Sequence, residues 1–273
     1  MINLCRAVFG FLVYFLTALP ITFAQSPLLS SVPSKGGSSD LRQSSYYLMT
    51  AENKTMQDDP NLNPAMFWLL DGETAWKQKQ GKANQSCAGC HGEVSQSMRG
   101  VATQFPKIVA GRLLNLEGQI NRCRSERQGA EPFAYESKPL LDLSVLIASQ
   151  SRGMPIAPNT AISSAALAQQ LNQGRALYFK RTGQLNLSCA QCHDERAGLK
   201  LGGTVIPQAH PTGYPIYRLE WQAVGSLQRR LRNCMIGVRA EPYAFGAPEL
   251  TQIELYLMSR AKGMNLETPG VRP

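Results

Sequence analysis

Histidine is scarce in this chain: three occur among 273 residues, at 91, 193 and 210. Charge is scarce too, 17% of residues against 43% hydrophobic. A chain so poor in charge is not a disordered polyelectrolyte over most of its length. Its composition is neither collagen-like nor that of a coiled coil. After the N-terminal segment no apolar run is long enough to cross a bilayer, which takes about 20 residues. Acidic residues are the rarer sign, 19 Asp+Glu against 28 Lys+Arg, a net charge of +9. That balance favours an anionic substrate or an acidic partner and says nothing about fold. Charge alone would admit nucleic acid; the rest of the sequence argues against it. The length fits one large domain or two of roughly 100–130 residues.

The N-terminus has the three parts of an export signal. Arg6 precedes a mostly apolar run over 7–19, Pro20 breaks it, and Thr22-Phe23-Ala24 offers small residues for cleavage. Cleavage after Ala24 is expected, leaving a periplasmic protein with no membrane span in the mature chain. Residues 25–45 are Ser/Pro/Gly-rich and read as a flexible lead-in.

From there the chain repeats itself. Ser86-Cys87-Ala88-Gly89-Cys90-His91 matches Ser188-Cys189-Ala190-Gln191-Cys192-His193. Asn121-Arg122-Cys123-Arg124 matches Arg232-Asn233-Cys234-Met235. Ala130-Glu131-Pro132-Phe133 matches Ala240-Glu241-Pro242-Tyr243, and Ser151-Arg152-Gly153-Met154 matches Ser259-Arg260 with Gly263-Met264. Four blocks in one order indicate two homologous domains. The expected boundaries are 46–158 for the first and 159–273 for the second. Each half reads as mostly helical, with helices over 64–79 and 163–181 before the cysteine blocks and over 140–148 and 250–258 at the ends. Strand signals are weak.

Of seven cysteines, Cys5 leaves with the signal. Four of the remaining six form two Cys-x-x-Cys-His motifs, the signature of covalent haem c attachment. In that chemistry two thiols form thioethers to the porphyrin edge and the following His faces the iron. A zinc site would need a fourth suitable ligand in each half. A redox cysteine pair needs no following His. Two covalent haems are therefore expected, through Cys87/Cys90 with His91 and through Cys189/Cys192 with His193. His210 has no counterpart and reads as a polar loop residue.

Each iron needs a sixth ligand or stays open. Met154 resembles the distal Met loop of monohaem cytochromes c, but its counterpart Met264 is followed by Asn. Cys123 and Cys234 are the last two cysteines, one per half at matching positions. An interdomain disulfide or two buried thiols would also account for them. A lone thiol per haem half in an oxidising compartment is better explained by iron holding it as thiolate, so His/Cys ligation is expected at both. Around Cys234 lie Arg229, Arg230, Arg232 and Arg239; Arg229 and Arg232 read as a solvated helix face. At helical spacing Arg230 shares a face with Cys234, where its guanidinium could hold a sulfonate-like group. The matching residue in the first half is Gln119. Arg260 is a second candidate for an anion pocket, with a helix-end structural role at least as good an account.

Several stretches carry a resemblance. They are Asn63-Pro64-Ala65-Met66-Phe67-Trp68 with Gly72-Glu73 and Trp76, then residues 183–194, and then Arg230 through Cys234 leading to Val238-Arg239-Ala240-Glu241-Pro242-Tyr243. Over roughly 46–268 the chain resembles the dihaem SoxA family, the larger subunits of the SoxAX cytochromes of bacterial sulfur oxidation. The resemblance implies L-cysteine S-thiosulfotransferase activity. Thiosulfate is joined oxidatively to a cysteine of the carrier SoxYZ, giving a cysteine S-thiosulfonate, and two electrons leave through haem. It further implies that Cys234, distal ligand of the second haem, is the active cysteine, that Arg230 binds substrate, and that the monohaem cytochrome SoxX is a partner. From the residues alone, a pure electron-transfer dihaem cytochrome without a substrate site is the rival. Arg230 with Cys234 against Gln119 with Cys123 separates the two. The expected fold is mainly α: two tandem homologous cytochrome c-like helical domains, each with one covalent haem, the second catalytic.

Overall fold

The computed structural model describes residues 40–158 and 165–273. The expected signal over 1–24, residues 25–39 of the expected lead-in over 25–45, and residues 159–164 just after the expected domain boundary lie outside them.

Helix α1 (Ala51–Asp58) is polar and starts at Thr50, whose hydroxyl accepts from the Asn53 amide. It carries no apolar stripe, so periodicity does not reveal it. There follow α2 (Met66–Lys77), α3 (Cys87–His91) and α4 (Val94–Ser97), then the hairpin of β1 (Lys107–Val109) and β2 (Arg112–Leu114). Helix α5 (Leu116–Cys123) runs into a π-helical turn, Arg124–Gln128, which ends at Gly129 in the left-handed region. Helix α6 (Lys138–Ser149) closes the first half.

The second half repeats this order. It has α7 (Ala165–Phe179), α8 (Cys189–His193), the hairpin β3 (Lys200–Leu201) and β4 (Thr204–Val205), then β5 (Ile216–Arg218) and β6 (Ala223–Gly225). Helices α9 (Leu227–Gly237) and α10 (Pro248–Arg260) follow, and β7 (Gly270–Arg272) ends the chain. The seven strands of two or three residues among the described residues were not foreseen; such short ladders leave no alternation to read. β7 pairs parallel with β5, Arg218 opposite Arg272, and β5 pairs antiparallel with β6.

Local chemistry sets the starts of the two cysteine-bearing turns. The Ser86 hydroxyl accepts from the Gly89 amide at 2.9 Å, and that of Ser188 from the Gln191 amide at 3.3 Å. The Gln191 side chain returns a bond to the Ser188 amide, completing a capping box. Helices α6 and α10 each carry Pro in their first turn, where its missing N–H costs nothing.

Helix α2 packs along α6, and α7 along α10. Each pair closes over a glycine. A Cβ on Gly72 would strike the Asp142 carbonyl oxygen, and one on Gly174 the Gln252 carbonyl oxygen. The repeat thus places the same backbone-to-backbone approach in both halves.

The halves are joined by more than the linker. One apolar core takes Trp76, Leu140, Leu146 and Ile156 from the first half and Met258, Ala261 and Leu266 from the second. The two Gly-Met segments found by sequence matching meet in space: Gly153 and Ile156 amides donate to Leu266 and Met264 carbonyls at 2.7 and 2.8 Å. Gly263 and Leu266 amides return bonds to Ile156 and Met154 at 2.8 and 2.9 Å. The end of the lead-in is held as well. Arg42 donates to the carbonyls of Arg260 and Lys262 at 2.7 and 2.9 Å, and the Ser44 hydroxyl meets that of Thr212 at 2.9 Å.

The close approach at Gly174 makes a test of this packing. Gly174→Ala must push α7 from α10 and is expected to cost about 1–3 kcal/mol, as overpacking does. The melting temperature should fall by about 2–4 °C for each kcal/mol. Gly237→Ala, where nothing lies within 4 Å of the added carbon, should leave it unchanged or raise it.

Candidate active site

In the first half Cys87, Cys90, His91 and Cys123 line one cavity of about 410 Å³. That size falls in the range of cofactor pockets. Its walls are mostly apolar, with Trp76, Phe105, Leu116, Ile120 and Leu143 prominent. Lys107 and Arg127 add positive charge at its wall, suited to the carboxylates that a haem carries. Cys123 is at the end of α5, just before the π turn, and Gln119 one turn earlier donates its Nε2–H to Cys123 Sγ at 3.2 Å. The fit to a haem is good: two thiols and a His on one short helix, a third thiol across, and an apolar lining. Met154 does not line this cavity; its methyl group lies against Gly100.

The second half brings His193 and Cys234 together. The Nδ1 of His193 lies 2.7 Å from the Pro207 carbonyl oxygen. A carbonyl can only accept, so Nδ1 carries a proton; in its neutral form the ring would present the Nε2 lone pair, as metal-ligating histidines do. Burial disfavours the Cys234 thiolate, but a hydrogen bond with His193 and the charges of Arg230, His193 and Arg218 outweigh it, so this thiol lies below the ordinary cysteine range. Cys189 lies opposite in character: burial, with the charge of Cys234 adding, pushes it up to about 11. Met264 packs against the apolar core that both halves share.

Two residues near Cys234 escaped the sequence. Arg218, at the end of β5, is charge-coupled to both Arg230 and Cys234. Its Nε donates to the Pro273 carbonyl at 2.9 Å and its guanidinium pairs with Glu220 at 2.8 Å. Tyr214, half-buried beside Arg230 and Cys234, is pushed up to about 12, chiefly by desolvation. They lie 16 and 20 residues before Cys234, on a strand and a loop, and no helical spacing links them to it.

The other arginines are engaged. Arg229 stacks on Trp221 at 4.3 Å and Arg232 on Phe245 at 4.4 Å, while Arg232 also donates to the Tyr243 carbonyl. Both are half-buried rather than a solvated face, because the loop returning to α10 and the β5–β6 turn cover that side of α9. Arg260 pairs with Asp194, the residue after His193, at 2.6 Å and lies over the Tyr178 ring at 4.8 Å. His210 is a loop residue, as expected, but buried, with Nδ1 3.0 Å from the Gln43 carbonyl oxygen.

The model of the SoxA/TsdA cytochrome c domain matches residues 71–156 and 173–266. The chain belongs to that family. It is similar to the L-cysteine S-thiosulfotransferase subunit SoxA of Pseudaminobacter salicylatoxidans, 36% identical over 232 residues that cover 84% of this chain and 80% of the relative. The corresponding subunit of Rhodovulum sulfidophilum is 34% identical over the same shares. A crystal structure of SoxXA from P. pantotrophus superposes with a TM-score of 0.81 at 31% identity, covering 85% of this chain and 87% of the other. A cytochrome c domain holds haem c, and the family match spans both halves. The tandem arrangement of two helical cytochrome c-like domains follows from that match and from the superposition. Among the described residues no helix is long and apolar enough to cross a membrane.

The bond between Arg260 and Asp194 anchors the turn that carries His193. Arg260→Ala is expected to lower stability by about 1.5–3 kcal/mol, the range for a partly buried charged hydrogen bond. Arg260→Lys should recover only part, since it loses the planar fork over Tyr178. Chemical denaturation of the haem-loaded protein reads both; wild-type stability in Arg260→Ala would show that the bond holds nothing.

Proposed function

We propose that this chain is the catalytic subunit of an L-cysteine S-thiosulfotransferase, a dihaem cytochrome that couples thiosulfate to a cysteine of a carrier protein. The observation that carries the reading is the convergence of His193, Arg230, Arg218 and Tyr214 on Cys234, against a neutral Gln119 on Cys123. Cys87 and Cys90 would hold one haem covalently, with His91 and Cys123 as its protein ligands. Cys189 and Cys192 would bind the other with His193 and Cys234. Haem, when bound, supplies a one-electron acceptor beside the reacting sulfur.

The chain's own residues supply the rest. The carrier thiol and thiosulfate together lose two electrons and one proton as an S–S bond forms between them. Thiosulfate is a dianion approaching an electron-rich sulfur. The guanidinium of Arg230 offsets the repulsion and orients the sulfonate end. Arg218, part-buried and with a largely exposed carboxylate as its partner, adds a second fixed charge. His193, oriented through Pro207, keeps its Nε2 aimed at the ligand position. The first half has the same scaffold and no guanidinium at the matching point, which suits it to passing electrons. A monohaem cytochrome partner such as SoxX and a carrier such as SoxYZ complete the system, and cleavage of residues 1–24 would place it in the periplasm.

Two expectations test the cofactor reading. Intact mass of the mature protein should exceed the polypeptide by two haems that acid–acetone does not extract; one or none would refute the pairing. Electron paramagnetic resonance should then show thiolate-type low-spin ferric signals, changed in one half by Cys123→Met and in the other by Cys234→Met. If both signals persist in both variants, the distal ligands are not these cysteines.

The substrate reading turns on Arg230. Removing a positioned donor of this kind typically costs about 3–4 kcal/mol in the transition state, roughly a hundred- to thousand-fold in rate. Arg230→Ala should keep both haem spectra and lose thiosulfate turnover by that factor, with Arg230→Lys intermediate. Gln119→Ala, the matched change in the first half, should have little effect. Wild-type turnover by Arg230→Ala would favour an electron-transfer protein without a substrate site.

A further inference from the structure

Three carboxylates lie between the halves, and none forms an ion pair among the described residues. Glu117, in the first turn of α5, is 7% exposed, and Glu254, on α10, is 6% exposed. Glu136 stands in the loop before α6. Its Oε2 accepts from the Ser226 amide at 3.4 Å and its Oε1 has no partner. Glu254 Oε1 accepts from Asn115 Nδ2 at 3.3 Å. Gln228, fully buried at the position in α9 that matches Glu117 in α5, faces Glu254. A cavity of about 60 Å³ is lined by Asn115, Glu117 and Glu254. Its walls are mostly apolar, with Asn115, Glu117, Glu254 and Tyr214 as the polar groups, and it has room for a few waters held by them.

The position of this cavity matters more than its size. Phe105 and Leu116 line both it and the larger cavity around Cys123. Tyr214, which interacts with Cys234 and Arg230, lines it too. The carboxylates therefore sit between the two redox sites, in a part of the protein that the proposed thiosulfate chemistry leaves unused.

The charged and titratable groups around them are few. Arg112, on β2, acts on Tyr135, whose hydroxyl donates to Asn115 Oδ1 at 3.2 Å. Arg229, on α9, acts on Glu136. Burial, with Glu136 adding, raises Glu117 to about 7, and burial together with Glu117 raises Glu254 well above the carboxylate range. Two such groups side by side lose and gain protons as a pair.

We propose that Glu117, Glu254 and the cavity between them form a one-proton store that fills from solvent when an electron arrives at either haem and empties when it leaves. An electron added to a low-dielectric interior is destabilised by the carboxylate charge already there. A proton bound to that pair removes the charge and offsets the cost. The only bond made is O–H on a carboxyl. The electron comes from thiosulfate and the carrier thiol, the couple proposed above, and the proton from water. The inference rests on the two-haem reading above.

Because reduction draws in a proton, the reduced form gains as pH falls, so at least one haem potential should fall as pH rises through about 7. One proton per electron corresponds to about 59 mV for each tenfold change in proton activity. The test is a potentiometric titration of the haem-loaded complex at pH values on either side of that point. Glu117→Gln, which copies Gln228, should flatten the slope, and so should Glu254→Gln. Reduction of the wild type in weak buffer should consume up to one proton per molecule, a readout that needs no variant to fold. The infrared difference spectrum between oxidised and reduced protein should carry a protonated-carboxyl band that is lost in Glu117→Gln. A flat wild-type potential with no proton uptake, or an unchanged slope in both Gln variants, overturns the store while two covalent haems by mass leave the dihaem reading standing.

Discussion

The first turns of α5 and α9 fix the geometry on which everything else depends. Asn115 Oδ1 accepts from the Gly118 amide at 2.9 Å, and Ser226 Oγ from the Arg229 amide at 3.2 Å. Each cap sets where its helix begins and so which side chains face inward eight residues later. In α9 that phase puts Arg230 and Cys234 on one face. In α5 it puts Gln119 and Cys123 on the matching face. Asn115 also reaches Tyr135 and Glu254, so the cap of the first sulfur-bearing helix is tied directly to the second half.

The repeat was the strongest signal in the sequence, and it located most of what the structure contains. Paired Cys-x-x-Cys-His motifs, the matched cysteines and the offset from Gln119 to Arg230 are all local patterns, readable because a helix converts spacing into direction. What the sequence did not disclose is non-local. Arg218 reaches Cys234 only because β5 lies between β6 and β7, and no pattern in a three-residue strand announces that pairing. The polar helix α1 and the strand β7 were missed for a related reason. Gln57 Oε1 accepts from the Val271 amide at 2.9 Å, and Asn63 Nδ2 donates to the Pro269 carbonyl at 3.0 Å, contacts across more than 200 residues that depend on individual amides rather than on periodicity.

The two halves have kept their frame and changed their chemistry. Glycine at the helix crossing, serine before the cysteine turn and proline at the start of the closing helix recur in both. The departures cluster where the sulfur atoms are: glutamine against arginine beside the thiol, glutamate against glutamine in the first turn. A duplicated scaffold can diverge there cheaply, since neither exchange touches the packing between helix pairs.

The paired Gly-Met segments carry a consequence for how this molecule could change over time. Each half supplies backbone donors and acceptors that the other satisfies, and each fills the other's apolar core. If either were cut away, the survivor would be left with buried amides facing water and an open core. Mutation could therefore strip one half of its cofactor or its reactivity, yet the polypeptide of that half would have to stay, retained as the wall against which its neighbour folds.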